Sequence, residues 1–218
     1  MTTIVPAILT DNISDFSAKL KMMEGFPKLE AIHIDFADSR FVQNATLQPA
    51  SLPALPLSYE FTAHLMCNRP QEYLADLHRT GFEVVSFHYE AEANLAEVQK
   101  TMGLIKDYGM RPQLAINPET SLENILPILK DLARIHIMTV DPGRQGNKYV
   151  PGEAKIKFLR WRGFYGTILV DGGIDKSKVR TLLAAGADQL VVGSAILKAK
   201  DPKKVYLELL REAGEKVD

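Results

Sequence analysis

The chain reads as an α/β protein of the (β/α)8 barrel, or TIM barrel, class. Three observations predict this. Short apolar runs recur along all 218 residues, longer amphipathic segments separate them, and the runs show little strict polar–apolar alternation. Strands covered on both faces by helices have that near-continuous apolar character. Eight such strands, each followed by a helix or loop, close into a parallel barrel.

The runs read as strands are residues 4–8, 31–35, 59–64, 84–88, 113–116, 135–140, 167–170 and 189–192. Helix punctuation lies between them. Pro70 opens QEYLADLHRT, which stops at Gly81, and Leu95, Val98, Met102 and Ile105 keep helical spacing up to Gly109. Asp175 is placed to cap KSKVRTLLAA before Gly186, and Asp201 with Pro202 forms a cap and first turn for KKVYLELLRE. The length falls a little below the ~250 residues typical of the fold, so the loops should be trim. An open doubly wound sheet is the rival, disfavoured by eight runs and by the lack of a dinucleotide fingerprint. No linker or low-complexity tract divides the chain, so residues 1–218 are expected to form one domain.

Hydrophobic residues make up 46% of the chain, enough for a sizeable core, and charged residues 24%. A net charge of -1 and a pI near 6.5 argue against nucleic acid as a partner, because such binding rests on neutralising phosphates with a basic face. Cys67 is the one cysteine, so no internal disulfide forms and a reducing compartment fits. MTTIVPAILTDN lacks the basic head and apolar stretch of a signal peptide, and no run is long enough to span a bilayer. A cytoplasmic protein with no membrane partner is the expectation. Exposed apolar residues on outer helices would mark a homo-oligomer, which one sequence leaves open.

Four residues at strand ends carry the chemistry: His33 and Asp35 in HIDFAD, His64 in FTAHLM, and Asp171 in VDGG. His33 and Asp35 are two apart, so their side chains leave the same face of a strand. Active sites of this fold lie at the C-terminal ends of the strands. Two imidazoles and two carboxylates converging there suit Zn2+, Fe2+, Mn2+ or Co2+ better than Ca2+ or Mg2+, which prefer all-oxygen shells. Alone, such a histidine is more often a core or rim residue and such an aspartate a turn residue; together, at equivalent ends of three strands, they favour a site. His88 also ends a strand and is read as a rim residue. His78 is placed on a helix surface, His136 carries no readable signal, and Cys67 is a small apolar filler.

Three glycine turns fall in the second half: VDPGRQGN, VDGGID and VVGSAI. Glycine lets the backbone turn its N–H groups toward an anion, and barrel enzymes often hold phosphate in the loops after strands seven and eight. Those loops supply Gly172, Gly173, Gly193 and Ser194, with residues 143–146 as a lid. A small phosphorylated substrate fits such a site.

In order along nearly the whole chain stand VPAIL, HIDFAD with FVQN, AHLMCNRPQEYL, FHYEA, INPET, IMTVDPGRQGNKYVP, VDGGI and AGADQLVVGSAI. Together they resemble the ribulose-phosphate 3-epimerase family. The resemblance implies a ribulose-phosphate-binding TIM barrel. It also implies inversion of C3 of a phosphorylated ketose, ribulose 5-phosphate to xylulose 5-phosphate, through a metal-stabilised enediolate. It makes His33, Asp35, His64 and Asp171 the metal ligands and Asp35 and Asp171 the acid and base. Gly143, Gly146, Gly172, Gly173, Gly193 and Ser194 then surround the phosphate, and Met66 and Met138 flank the enediolate.

The chain departs from the family near the reacting end. Ala7 stands where the family has serine. Ala37, Ser39, Arg40 and Gln43 replace methionine, glycine, histidine and proline, and Arg144 and Asn147 replace an aromatic and glutamine. These changes bear on rate and substrate choice. An epimerase of another sugar phosphate, such as a hexulose 6-phosphate, and a barrel that binds a phosphorylated ligand without turnover are the alternatives. The related decarboxylases and lyases carry Asp-x-Lys-x-x-Asp on an early strand, and the segment Asp35-Phe36-Ala37-Asp38 has no lysine at the corresponding place.

Overall fold

The computed structural model describes residues 3–142 and 148–217. Eight parallel strands close in sequence order: β1 Ile4–Ile8, β2 Ala31–Ala37, β3 Glu60–Met66, β4 Val84–His88, β5 Arg111–Ile116, β6 Arg134–Met138, β7 Thr167–Asp171 and β8 Gln189–Val192. The ring closes where Ile4 pairs with Leu190 and Pro6 with Val192. Outside lie α1 Ile13–Met23, α2 Leu74–Thr80, α3 Leu95–Asp107, α4 Glu153–Trp161, α5 Lys176–Ala185, α6 Ser194–Leu197 and α7 Pro202–Glu212. No helix among the described residues is long and apolar enough to cross a membrane.

Helix starts follow local chemistry. The side chains of Asn12, Asn94, Asp175 and Asp201 each accept a backbone N–H of the first turn of α1, α3, α5 and α7. Gly81 and Gly186 end α2 and α5 in the left-handed conformation. One segment differs from the sequence expectation, and another is irregular. Pro70 opens a 3-10 turn, Pro70–Tyr73, and the α-helix begins only at Leu74. Between β5 and β6 the outer layer is a 3-10 stretch, Leu122–Asp131, interrupted by Pro127. A proline there removes a donor and clashes with the preceding turn, which blocks regular α-helix.

Strands β2 and β3 run two residues past their expected ends, because the ladder continues through Ala37 opposite Met66. β6 stops at Met138, short of residue 140. Alternation then divides the side chains. Ile4, Ile8, Ile32, Ile34, Ile135 and Ile137 belong to the large core between sheet and helices. Val5, Ala7, Ala31, Leu169 and Val191 form a small separate cluster, which alternation places inside the barrel. The interior also holds polar groups. Arg134 donates to Gln113 and Gln189 across the barrel at 3.1 and 3.0 Å. Toward the C-terminal end, His33, His64, His88 and His136 are all fully buried.

Candidate active site

Register decides which side chains meet. Asp35 pairs with His64 across β2 and β3, and Met138 pairs with Asp171 across β6 and β7. With His33 one inward position below Asp35, four donors come together: one atom from each of His33, Asp35, His64 and Asp171 lies within 4.8 Å of all the others. His64 Nδ1 is 2.8 Å from Asp35 Oδ1 and 3.8 Å from Asp171 Oδ2. His33 Nε2 is 3.2 Å from Asp35 Oδ1 and 3.9 Å from Asp171 Oδ2. Donors about 2.0–2.2 Å from one tetrahedral cation would stand about 3.3–3.5 Å apart. The observed separations straddle that range. Neither ring nitrogen of buried His33 makes an aligned hydrogen bond among the described residues. A buried polar nitrogen without a partner is costly, and a cation is one partner that would satisfy it. The donor set therefore fits a divalent metal.

The two carboxyls sit in unequal surroundings. Burial, reinforced by the negative charge of Asp35, pushes Asp171 up to about 6. Burial acts on Asp35 as well, but its contacts with His33 and His64 outweigh it and hold that carboxyl well below the usual range. Burial would depress His33, yet the contact with Asp35 and the charges of Asp35 and Asp171 raise it. Burial and the neighbouring His136 pull His64 down to about 3. One carboxylate and one carboxylic acid can thus coexist around and below pH 6.

A cavity of about 590 Å³ opens above these groups. Asp35, His64, Met66, Met138 and Asp171 line one part of it, and Gly172, Gly173, Gly193 and Ser194 line another. Gly172 and Gly173 have φ of +117° and +62°. A Cβ on Gly172 would lie 2.6 Å from a Val140 methyl and 2.8 Å from its backbone nitrogen, so only glycine fits. Ala7 lines the cavity without a hydroxyl. Gly143 and Gly146 lie outside the described residues.

Histidines are where sequence reasoning fell short. His88 is not a rim residue. It is fully buried, and its Nε2 is 2.9 Å from His64 Nε2. His136, unassigned from sequence, places Nε2 3.5 Å from Asp171 Oδ2 while its Nδ1 contacts the Ser86 hydroxyl at 2.9 Å. Alternation along β6, with apolar Ile135 and Ile137 facing out, was the signal that could have found it. Lys198 also lines the cavity, and no motif singled it out.

Comparisons with known proteins show the family. The profile described as "Ribulose-phosphate 3 epimerase family" matches residues 3–197. The chain belongs to that family. It is an enzyme of the isomerase class, as the curated relatives bear out. The chain is 34% identical over 195 residues to the ribulose-phosphate 3-epimerase of Escherichia coli, covering 85% of each chain. It is 32% identical to that of Bacillus subtilis, covering 96% of this chain and 98% of the relative. Among solved structures, 3-hexulose-6-phosphate synthase from Salmonella typhimurium superposes with a TM-score of 0.70 at 17% identity. That match covers 97% of this chain and 98% of the other, and it carries the fold alone.

Proposed function

We propose that the chain inverts C3 of ribulose 5-phosphate, giving xylulose 5-phosphate, with Asp35 and Asp171 exchanging the proton. The observation that carries this is the convergence of two carboxyls of opposite protonation preference with two histidines at the floor of a cavity. That cavity also reaches a glycine-lined end. The backbone of Gly172, Gly173, Gly193 and Ser194 receives the phosphate, which orients the sugar with its reacting carbons beside Met66 and Met138. A divalent cation held by His33, Asp35, His64 and Asp171 supplies Lewis-acid stabilisation of the charge that develops on the sugar oxygens. Ionised Asp35 takes the proton from C3 on one face. Protonated Asp171 returns a proton to C3 from the other face, which inverts the centre. The protonation states of the two carboxyls are then exchanged, and solvent resets them.

The test is ribulose 5-phosphate in deuterated water with added Zn2+ or Fe2+. Xylulose 5-phosphate carrying solvent deuterium at C3 is expected. Absence of both product and deuterium with the metal-loaded protein removes the proposal. The loop with Ala37, Ser39, Arg40 and Gln43 favours one second reading: the same inversion on a hexulose 6-phosphate. Running both sugars side by side separates the two.

A further inference from the structure

The end of the barrel opposite the catalytic cavity carries an uncovered apolar surface. Five large apolar residues are exposed among the described ones, and four of them lie just before strand starts. Leu57 precedes β3, Tyr108 precedes β5, and Trp161 and Tyr165 precede β7. Leu57, Trp161 and Tyr165 are 97%, 76% and 94% exposed. Beside Tyr165, a cavity of about 340 Å³ is lined by Leu126, Leu129, Leu132 and Phe164, and Lys130 and Arg162 also line it. The Arg162 guanidinium lies 5.9 Å from the Trp161 ring centre. Exposed tryptophan, tyrosine and arginine around an apolar pocket have the composition of a protein-binding surface.

We infer that this face pairs with the same face of a second copy of the chain, about a two-fold axis that lies in the interface and passes the start of β5. The order of strands around the ring carries this. β3 and β7 stand four places apart in a closed ring of eight, on opposite sides of the barrel. A two-fold axis in the plane of the face, passing β5, exchanges β3 with β7 and β4 with β6, and returns β5 to itself. Each exchange joins matching chemistry. Leu57, before β3, meets the cavity beside Tyr165 and Trp161, before β7, on the other copy. Tyr108, before β5, meets its own copy near the axis. Glu83, before β4, has a half-exposed side chain, and it faces Lys130, before β6. Lys130 and Arg162 are exposed and form no ion pair among the described residues. A surface whose knob and pocket, and whose acid and base, are exchanged by one rotation is self-complementary, which favours a second copy over an unrelated partner. The two catalytic cavities then open at the far ends of the pair, clear of the interface. The pairing is independent of the chemistry at those ends.

Trp161 is the one tryptophan of the chain, so its fluorescence reports on the pairing. Sedimentation velocity of the full chain should give twice the 24.3 kDa chain mass. Dilution should shift Trp161 emission to the red and open it to acrylamide quenching, in step with the fall in mass. Leu57→Asp and Tyr165→Asp each spoil a contact that the pair makes twice. Loss of one such anchor weakens association about 30-fold or more, so two copies of it weaken association about 10³-fold. Both side chains are almost fully exposed, so circular dichroism of the variants should match the parent. Nitroxide labels on Tyr108→Cys should stand closer together across the pair than labels on Leu57→Cys, because residue 108 lies by the axis and residue 57 to one side. Cys67 is buried and takes no label. A parent that stays monomeric throughout the dilution series overturns the inference. So does a pair that keeps parent affinity in both aspartate variants, and so does the reverse order of the two label distances.

Discussion

Replacing Asp35 with Asn isolates the proposed proton transfer. Asparagine keeps the shape of the side chain, and its amide can still sit 2.8 Å from His64 Nδ1 and 3.2 Å from His33 Nε2, the distances Asp35 Oδ1 now holds. Packing should survive. What disappears is the base and its negative charge beside the cation. General base catalysis contributes about 10²–10⁴-fold, and weakening a metal site by altering its supporting contacts costs about 10–100-fold. Together the loss is about 10³–10⁶-fold, or about 4–8 kcal/mol at 1.36 kcal/mol per decade. The glycine end of the cavity is untouched, so inhibition by inorganic phosphate should hold. Deuterium entry at C3 under saturating Zn2+ reads the first effect, and phosphate inhibition of the parent and variant reads the second. A variant that exchanges C3 within tenfold of the parent refutes the assignment of Asp35.

Other outcomes follow from the same coordinates. Gly172→Ala places a Cβ against Val140 at a positive φ, so it should cost about 3 kcal/mol or more in a denaturant melt and weaken phosphate binding; an unchanged midpoint counts against the cradle. Ser39 sits exposed at φ +59°, where the family has glycine. Relief of about 1–2 kcal/mol of left-handed strain, less about 0.5–1 kcal/mol for the freedom of glycine in the unfolded chain, should make Ser39→Gly stabilising by about 0.5–1 kcal/mol; a lowered melting temperature contradicts this. Asp171 is raised to about 6, so below that pH a cation must displace its proton. His33 is raised as well, so metal affinity should begin to fall once pH drops below the raised His33 range, fall more steeply below about 6, and level off only above both. Affinity that stays flat down to pH 4 overturns the assignment of Asp171 as the raised carboxyl.

Much of the barrel was legible because strands buried on both faces announce themselves as apolar runs. Residues 84–88 and 189–192 needed no other cue. Caps at Asp175 and Asp201 were equally readable, since a carboxylate before a helix satisfies its free N–H groups. The outer layer after β5 carried no helix signal beyond its apolar content, and with Pro127 lacking an N–H it forms a 3-10 stretch. At the site, His33 and Asp35 were legible from period two, and Asp171 from its place at the end of the seventh strand. The contact of His64 with His88 was not, because it depends on how far two rings reach across β3 and β4 inside a closed ring. No spacing along one strand encodes that. His136, by contrast, was readable from the alternation along β6, whose apolar Ile135 and Ile137 face out.

Anomalous scattering from crystals of protein purified without chelator tests the central claim most directly. A single transition-metal peak is predicted about 2.0–2.2 Å from His33 Nε2, His64 Nδ1 and the carboxylates of Asp35 and Asp171. A fully active protein with no metal at that point would contradict it.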